Sequence, residues 1–230
     1  MTGFPYAIVG FDLDGTLLDT SADLTAAVNH TLGLEGRPPL NVDQVKPMIG
    51  GGAKLMLQKG LERSGGSSPE LMAELYPRLL HFYRDNISGG SVPFPGALDA
   101  LDALASKGVQ IAVVTNKFES LALKLLGEVG LADRFATIIG GDTMGKGNAK
   151  PSAAPIEEMI RRCGGGSAAF VGDSIYDVGA AHNAGIGCIA VSFGFLMQPI
   201  EDLGADLVID HYDELLPALE RLDGAMAARA

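Results

Sequence analysis

The chain has 230 residues, of which 47% are hydrophobic and 20% are charged, and its 28 acidic and 17 basic side chains leave a net charge of −11. This apolar share is typical of a folded globular protein and excludes extensive disorder. The acidic balance argues against nucleic acids and anionic membrane surfaces as partners, because basic side chains hold both. The length predicts one large domain, or one domain with a smaller addition.

Two further features predict a cytoplasmic protein. Residues 1–9 lack the basic and apolar pattern of a signal peptide, and no stretch approaches the roughly 18 apolar residues of a membrane span. Cys163 and Cys188 have no spacing for a zinc site or a disulfide framework. This cysteine usage suits a reducing compartment.

Short apolar runs of strand length recur along the chain, and helical patterns separate most of them. The predicted strands cover residues 6–11, 109–115, 136–139, 168–172, 186–192 and 206–209. The predicted helices of the same region cover residues 96–106, 120–129, 152–163, 175–184 and 212–222. Strands that are apolar throughout are buried on both faces. The alternation therefore predicts an α/β fold with a doubly wound parallel sheet.

Residues 20–90 interrupt this alternation and contain no clear strand. Their periodicity predicts helices over about 20–34, 54–63 and 70–86, the first opened by a capping box in residues 20–23. Stretches rich in glycine and proline flank the segment, and insertions are tolerated at such junctions. We therefore predict a small, all-helical cap of residues 20–90, inserted into a core of residues 1–19 and 91–230.

Acidic side chains follow two of the predicted strands. Asp12 and Asp14 lie two residues apart as the first strand ends, so both can point to one side. Asp173 and Asp177 follow the strand of residues 168–172 and lie four apart at a helix start. Because ligands of open α/β sheets bind beyond the carboxyl ends of the strands, these residues are candidates for a functional site.

Converging carboxylates require nearby cations, since their mutual repulsion otherwise raises their pKa values. Lys150 is the first candidate, because the Pro151 that follows it suits the first position of a helix; Lys146 competes with it. A cation at a helix N-terminus opposes the helix dipole, so local stability does not favour Lys150 there.

A divalent metal ion is the second cation that this arrangement predicts. With Asp14 protonated, Mg²⁺ and Lys150 would balance the charges of the other three carboxylates. A site with oxygen ligands alone suits Mg²⁺ better than zinc. Such a neutralised site is ready to accept an anionic substrate.

Four segments resemble, in the right order, the motifs of haloacid dehalogenase-like phosphatases. They are residues 11–17 (FDLDGTL), residues 113–117 (VVTNK), the pair Lys150 and Pro151, and residues 171–177 (VGDSIYD). Four ordered motifs over nearly the whole chain are a specific signal. The predicted helical insertion lies where this superfamily carries a small cap.

The resemblance implies a Mg²⁺-dependent phosphatase with an aspartyl-phosphate intermediate. Asp12 would attack phosphorus, and Asp14 would protonate the leaving alcohol and then activate water. Asp12, the backbone carbonyl of Asp14 and Asp173 would hold the metal, supported by Asp177.

The same resemblance implies a phosphate-binding group. Thr115, the amide of Asn116 and Lys150 would hold the phosphoryl oxygens. In the cap, Gly51 and Gly52 belong to a flexible loop that could face the substrate. Lys54 could lie there too.

Several of these residues also have simpler interpretations. Thr115 could cap its strand, and Asp177 could be an acid stabilised by the dipole of its helix. Lys54 could be a solvated lysine. Lys117, which follows Thr115 and Asn116, is also expected to be solvated.

Within the superfamily, the chain resembles the phosphoglycolate phosphatases in four further segments. These are residues 19–24 (DTSADL), 49–53 (IGGGA), 94–96 (FPG) and 140–143 (GGDT). The resemblance implies 2-phosphoglycolate as substrate, and in any case a small phosphorylated metabolite as partner. Sugar phosphates such as N-acetylmuramate 6-phosphate, nucleotides, a phosphosugar mutase activity and an idle phosphate-binding protein remain alternatives. A monomer and a homodimer are both compatible with the sequence.

Overall fold

The computed structural model describes residues 3–227 and has two sheets. Their strands are β1 (Ile8–Phe11), β2 (Leu18–Asp19), β3 (Val92–Pro93), β4 (Gln110–Val114), β5 (Thr137–Ile139), β6 (Ala168–Gly172), β7 (Gly187–Val191) and β8 (Leu207–Ile209). Six of them form one parallel sheet in the order β5-β4-β1-β6-β7-β8. The remaining two, β2 and β3, pair as a short antiparallel ribbon.

Nine α-helices are present in the described part of the chain. They are α1 (Ser21–Leu34), α2 (Val42–Val45), α3 (Ala53–Ser64), α4 (Pro69–Asp85), α5 (Ala97–Ser106), α6 (Glu119–Glu128), α7 (Ala154–Arg162), α8 (Ile175–Asn183) and α9 (Leu215–Ala227). Among these helices, none is long and apolar enough to cross a membrane.

The central strand β1 shows why the sheet is covered on both faces. Successive side chains of a strand point to opposite faces. In β1, Val9 and Phe11 pack in a core layer with α5, α6 and α9, whereas Ile8 packs in a second layer with α7 and α8. All three side chains are fully buried. The doubly wound parallel α/β sheet predicted from the apolar runs is therefore confirmed.

Residues 20–90 contain only helices and loops in the structure, among them α1, α3 and α4 at the predicted places. The ribbon of β2 and β3, where Leu18 pairs with Pro93 and Asp19 with Val92, lies where this helical segment joins the sheet and has no signal in the sequence. Two-residue strands are too short to show a periodicity. The division into a cap of residues 20–90 and a core of residues 1–19 and 91–230 stays a prediction.

The predicted capping box at the start of α1 is wrong. Thr20 is the N-cap residue of α1, but its side chain makes no capping hydrogen bond. Its hydroxyl donates instead to Asp14, at 2.7 Å, and Asp23 accepts from the Gly90 amide and the Ser91 hydroxyl. Tertiary partners therefore use both polar side chains that the box would need.

The predicted start of the helix that follows Lys150 is also wrong. Helix α7 begins at Ala154, with Pro155 in its first turn, rather than at Pro151. A helix beginning at Pro151 would contain Pro155 beyond its first turn, where proline removes a hydrogen bond and clashes with the preceding turn. Lys150 thus lies in the loop before α7 and not at the helix end.

Candidate active site

The acidic residues meet where two neighbouring strands of the parallel sheet, β1 and β6, end. Asp12 follows β1, Asp173 follows β6, and Asp177 lies in the first turn of α8. Each offers a carboxylate oxygen, and these oxygens lie within 4.8 Å of one another. The convergence of these three residues agrees with the sequence analysis. We call Asp12, Asp173 and Asp177 the acidic cluster.

Lys150 supplies the cation that the acidic cluster requires. Its ammonium donates to Asp12 Oδ1 at 2.8 Å, to Asp177 Oδ1 at 2.6 Å and to the Val114 carbonyl at 2.7 Å. An ammonium has three donors, so protein groups take all of them. Lys146, the competing lysine, is exposed. Although burial lowers the pKa of Lys150, Asp12 and Asp177 raise it above its usual value overall.

Asp177 is the helix-start acid considered for it, and it also contacts Lys150. Its Oδ2 accepts from the Ser174 amide at 2.9 Å and from the Ser174 hydroxyl at 2.6 Å, as the acidic partner in the capping box of α8. Its Oδ1 accepts from Lys150. The same carboxylate therefore starts the helix and orients the lysine. A Cβ on Gly172 would lie 2.3 Å from Asp177, so only glycine fits beside it.

Asp173 has the chemistry of a metal ligand. Its Oδ2 accepts from the Phe195 amide at 2.7 Å, but its Oδ1 is buried and has no hydrogen-bond partner among the described residues. Burial raises the pKa of Asp173 well above its usual value, and the charges of Asp177 and Asp12 raise it further. An orphaned oxygen in an oxygen-only cluster fits a hard divalent cation such as Mg²⁺.

Asp12 is 4% exposed and lies at the bottom of the site. Burial raises its pKa to about 6, although Lys150 acts in the opposite direction. The charges of Asp177 and Asp14 add to the increase. The positive charge of Lys150 therefore favours the ionised form of this carboxylate.

The expectation that Lys117 is solvated is wrong. Lys117 is only 8% exposed, and its ammonium lies 2.6 Å from both carboxylate oxygens of Asp14. The reason is electrostatic, because a buried Asp14 carboxylate needs a cation of its own. With Lys117 included, the charges of two lysines and one divalent cation equal those of four carboxylates. The position of Lys117, just beyond the carboxyl end of β4, was the available signal.

Thr115 and Asn116 connect this end of β4 to the rest of the site. The Thr115 hydroxyl accepts from the Lys117 amide at 3.2 Å, which is the local capping role considered for it. The Asn116 side-chain amide donates to the Gly50 carbonyl at 3.1 Å and to the Lys150 carbonyl at 3.2 Å. Asn116 therefore joins the loop of the helical segment to the lysine loop.

A cavity of about 160 Å³ opens over these residues. The sheet side of its lining includes Asp12, Asp14, Thr115, Asn116 and Lys117, and the helical segment contributes Gly51, Gly52, Lys54, Tyr76 and Tyr83. The three residues predicted to face a substrate thus line the same cavity as Asp12, with Gly51 and Gly52 in a loop and Lys54 in the first turn of α3. Tyr83 had no sequence signal, because its position in α4 follows the apolar period of an ordinary core residue.

Comparison with known proteins identifies the family. The model of the haloacid dehalogenase-like hydrolases matches residues 9–191. The chain belongs to this family. This confirms the resemblance inferred from the four motifs.

Relatives with the same layout are found by sequence and by structure. The chain is 42% identical over 230 residues to a phosphoglycolate phosphatase of Agrobacterium fabrum, covering 98% of this chain and 97% of that protein. It is 39% identical over 209 residues to one of Caulobacter vibrioides, covering 90% and 87%. The solved structure of a predicted phosphoglycolate phosphatase from Haemophilus somnus superposes with a TM-score of 0.85 at 27% identity, covering 93% of this chain and 98% of that one.

Proposed function

We propose that this hydrolase converts 2-phosphoglycolate to glycolate and phosphate, with Asp12 as nucleophile and Mg²⁺ as cofactor. The chain is a phosphoric monoester hydrolase of its family. One observation carries the proposal for the site: a buried carboxylate, Asp12, lines a small cavity beside a lysine and an orphaned carboxylate oxygen. The relatives named phosphoglycolate phosphatase support the substrate.

Asp12 and Asp14 have different roles in this reaction. Asp12 attacks phosphorus, the bond from phosphorus to the leaving oxygen breaks, and Asp14, protonated at the start of the cycle, gives that oxygen its proton. In the second half, Asp14 takes a proton from water, which attacks the aspartyl-phosphate and frees Asp12. The support for this division is that both side chains line one cavity while each pairs with its own lysine.

Thr115, the backbone amide of Asn116 and Lys150 bind the phosphoryl oxygens in this proposal. Thr115 and Asn116 line the cavity beside Asp12. The three donors of Lys150 are occupied, so one of them would pass from a protein acceptor to a phosphoryl oxygen. The positive charge then offsets the negative charge of the transferred group.

Asp12, Asp173 and the backbone carbonyl of Asp14 would hold the metal ion. Asp177 supports this set by orienting Lys150 and by accepting from the Asp173 amide, at 3.2 Å. When bound, Mg²⁺ neutralises charge at the phosphoryl group and aligns it for attack.

The loop with Gly51 and Gly52, together with Lys54 at the start of α3, covers the substrate in this proposal, as part of a cap of residues 20–90. Its support is the contact of Asn116 with Gly50 and the shared cavity lining. A covered cavity excludes bulk water during the first half of the reaction.

Phosphate release from a panel of esters, with Mg²⁺ and with EDTA, tests the proposal. The panel contains 2-phosphoglycolate, N-acetylmuramate 6-phosphate, glucose phosphates and nucleoside monophosphates. We expect the highest kcat/KM for 2-phosphoglycolate and loss of turnover in EDTA. A higher kcat/KM for another ester would overturn the substrate. Isomerisation of a sugar phosphate without phosphate release would replace hydrolysis with a mutase reaction.

A further inference from the structure

Two buried lysines flank the site, and they differ in how their protons are used. All three donors of Lys150 meet protein acceptors. Lys117 instead donates to the two oxygens of one carboxylate, that of Asp14, and its ammonium also interacts with the Tyr83 side chain, which adds to the rise of its pKa. Lys117 is therefore held on the cavity side by a tyrosine and not by a second carboxylate or a backbone carbonyl.

The hydroxyl proton of Tyr83 is an unused donor beside this ammonium. Tyr83 is 3% exposed and lines the cavity, and the Lys117 ammonium lies 4.9 Å from the centre of its ring. The hydroxyl is buried, and its proton has no acceptor among the described residues. Burial raises the pKa of Tyr83 to about 12, so the hydroxyl keeps its proton at neutral pH.

A buried ammonium beside an unused phenol proton is complementary to a carboxylate, which offers a negative charge and two acceptor oxygens. The surroundings strengthen such a contact, because Leu24, Leu79 and Leu121 line the same cavity and keep it apolar. Attraction between charges increases as water is excluded. Leaving the buried phenol proton unpaired costs free energy, so the arrangement indicates a ligand.

We propose that Lys117 and Tyr83 bind the carboxylate of the substrate and select esters with an anionic group one methylene from the ester oxygen. The inference rests on the proposed hydrolysis of 2-phosphoglycolate. In that ester, a single methylene separates the leaving oxygen from the carboxylate. Because Asp14 protonates the leaving oxygen, that oxygen lies beside Asp14 in the bound ester. The carboxylate of the substrate, one methylene away, then lies next to Lys117, the cation that contacts Asp14.

Lys54 is the other lysine in the cavity lining, and it suits this role less well. It is exposed and lies in the first turn of α3. A solvated ammonium gains little from pairing with a carboxylate, whereas a buried one gains more. The buried pair of Lys117 and Tyr83 is therefore the stronger determinant of selectivity.

The test compares two esters of nearly equal size. One is 2-phosphoglycolate, and the other is ethylene glycol monophosphate, which carries a neutral hydroxymethyl group in place of the carboxylate. The measured quantity is the selectivity ratio, kcat/KM for the first divided by kcat/KM for the second, for the wild type, Lys117→Met and Tyr83→Phe. Controls are Lys124→Met, an exposed lysine of α6, and Tyr76→Phe, a tyrosine of α4 in the same cavity lining.

We expect Lys117→Met to lower the selectivity ratio by about 30-fold or more, as for the loss of one partner of a buried charge pair. Tyr83→Phe should lower it by about tenfold, mainly through KM. Since the proton of the Tyr83 hydroxyl lacks an acceptor in the free protein, Tyr83→Phe should leave Tm nearly unchanged. Unchanged Tm with lost selectivity separates ligand binding from a structural role, even if Lys117→Met folds poorly. Both controls should keep the wild-type ratio.

The outcomes separate this inference from the proposed function. A wild-type ratio near one would count against 2-phosphoglycolate as substrate and against the carboxylate site together. A high wild-type ratio that persists in both Lys117→Met and Tyr83→Phe would overturn the carboxylate site alone. The same holds if Lys54→Met abolishes the ratio while Tyr83→Phe keeps it.

Discussion

The sheet side and the helical side of the cavity are built in different ways. On the sheet side, Asp12, Lys150 and Asp177 form a saturated network in which every lysine proton has a protein acceptor. On the helical side, the loop around Gly52 and the hydroxyl of Tyr83 present few polar contacts to the same cavity. A saturated network holds catalytic groups in place, and unused donors are free to bind a ligand. This difference places the chemistry on the sheet side, and the selectivity where Tyr83 of the helical side meets Lys117.

The sharpest test of the sheet side is Asp12→Asn. We expect kcat to fall by about 10⁴-fold or more for every ester, because the nucleophile is lost. Asparagine still offers an oxygen to Lys150, so the fold should survive, as circular dichroism would verify. Normal turnover by the folded variant would exclude Asp12 as the nucleophile.

Lys150→Met should have the next largest effect. It leaves the buried carboxylates of Asp12 and Asp177 without their cation, so we expect a loss of about 3 to 5 kcal/mol in the free energy of unfolding. Turnover should fall for all esters alike. Lys146→Met is the matched control, because that lysine is exposed. Equal effects of the two substitutions would contradict the role of Lys150.

Asp173→Asn tests the metal site with and without metal. In EDTA the variant should be more stable than the wild type by about 1 to 3 kcal/mol, because an orphaned buried oxygen is replaced by a donor amide. The stabilisation of the wild type by added Mg²⁺ should be absent in the variant. Thermal unfolding with a Mg²⁺ titration measures both effects. A variant that Mg²⁺ still stabilises fully would remove Asp173 from the ligand set.

The stability difference between the wild type and Asp173→Asn should also depend on pH. Since the pKa of Asp173 is raised in the folded protein, the folded state holds a proton that the unfolded chain has released. Wild-type stability in EDTA should therefore fall as pH rises above about 4, and the advantage of Asp173→Asn should grow over that range. Unfolding in urea at pH 4 and pH 7 measures this difference. An advantage independent of pH would contradict it.

The smallest effect is expected on the helical side, at Gly52. Its φ is +86°, a backbone conformation that is unfavourable for residues other than glycine. Gly52→Ala should therefore strain the backbone of the loop by about 1 to 2 kcal/mol or shift the loop to relieve that strain. We expect KM to rise about fivefold or more while the requirement for Mg²⁺ is kept. Gly66→Ala is the control, with φ +101° and open space around the added Cβ. Equal KM values for both variants would contradict a substrate-facing loop.

The strands and the acidic cluster could be predicted because their signals are local. Each buried strand is a continuous apolar run, and Asp12 and Asp173 directly follow two such runs that topology makes neighbours. Lys150 could be found because converging carboxylates require a cation. Its helical context was predicted wrongly, because Pro155 rather than Pro151 lies in the first turn of α7.

The partners of Asp14 could not be predicted from local signals. Thr20 looked like part of a capping box, yet its hydroxyl donates to Asp14. Lys117 looked like a solvated lysine, yet it is 103 residues away in the chain and in contact with both oxygens of Asp14. In both cases the local sequence suggested a capping or a solvated side chain. In the structure each side chain instead contacts the buried carboxylate of Asp14, where electrostatic attraction is stronger than in water.

By itself, the sequence determined the α/β alternation, the helical segment and the identity of the acidic cluster, because periodicity and motif order are properties of neighbouring residues. Only the tertiary structure decided which lysine neutralises which carboxylate, and which donors remain unused. Burial and charge compensation depend on residues brought together from distant parts of the chain, as Tyr83 and Lys117 are. The selectivity that we infer for this site rests on that second kind of information.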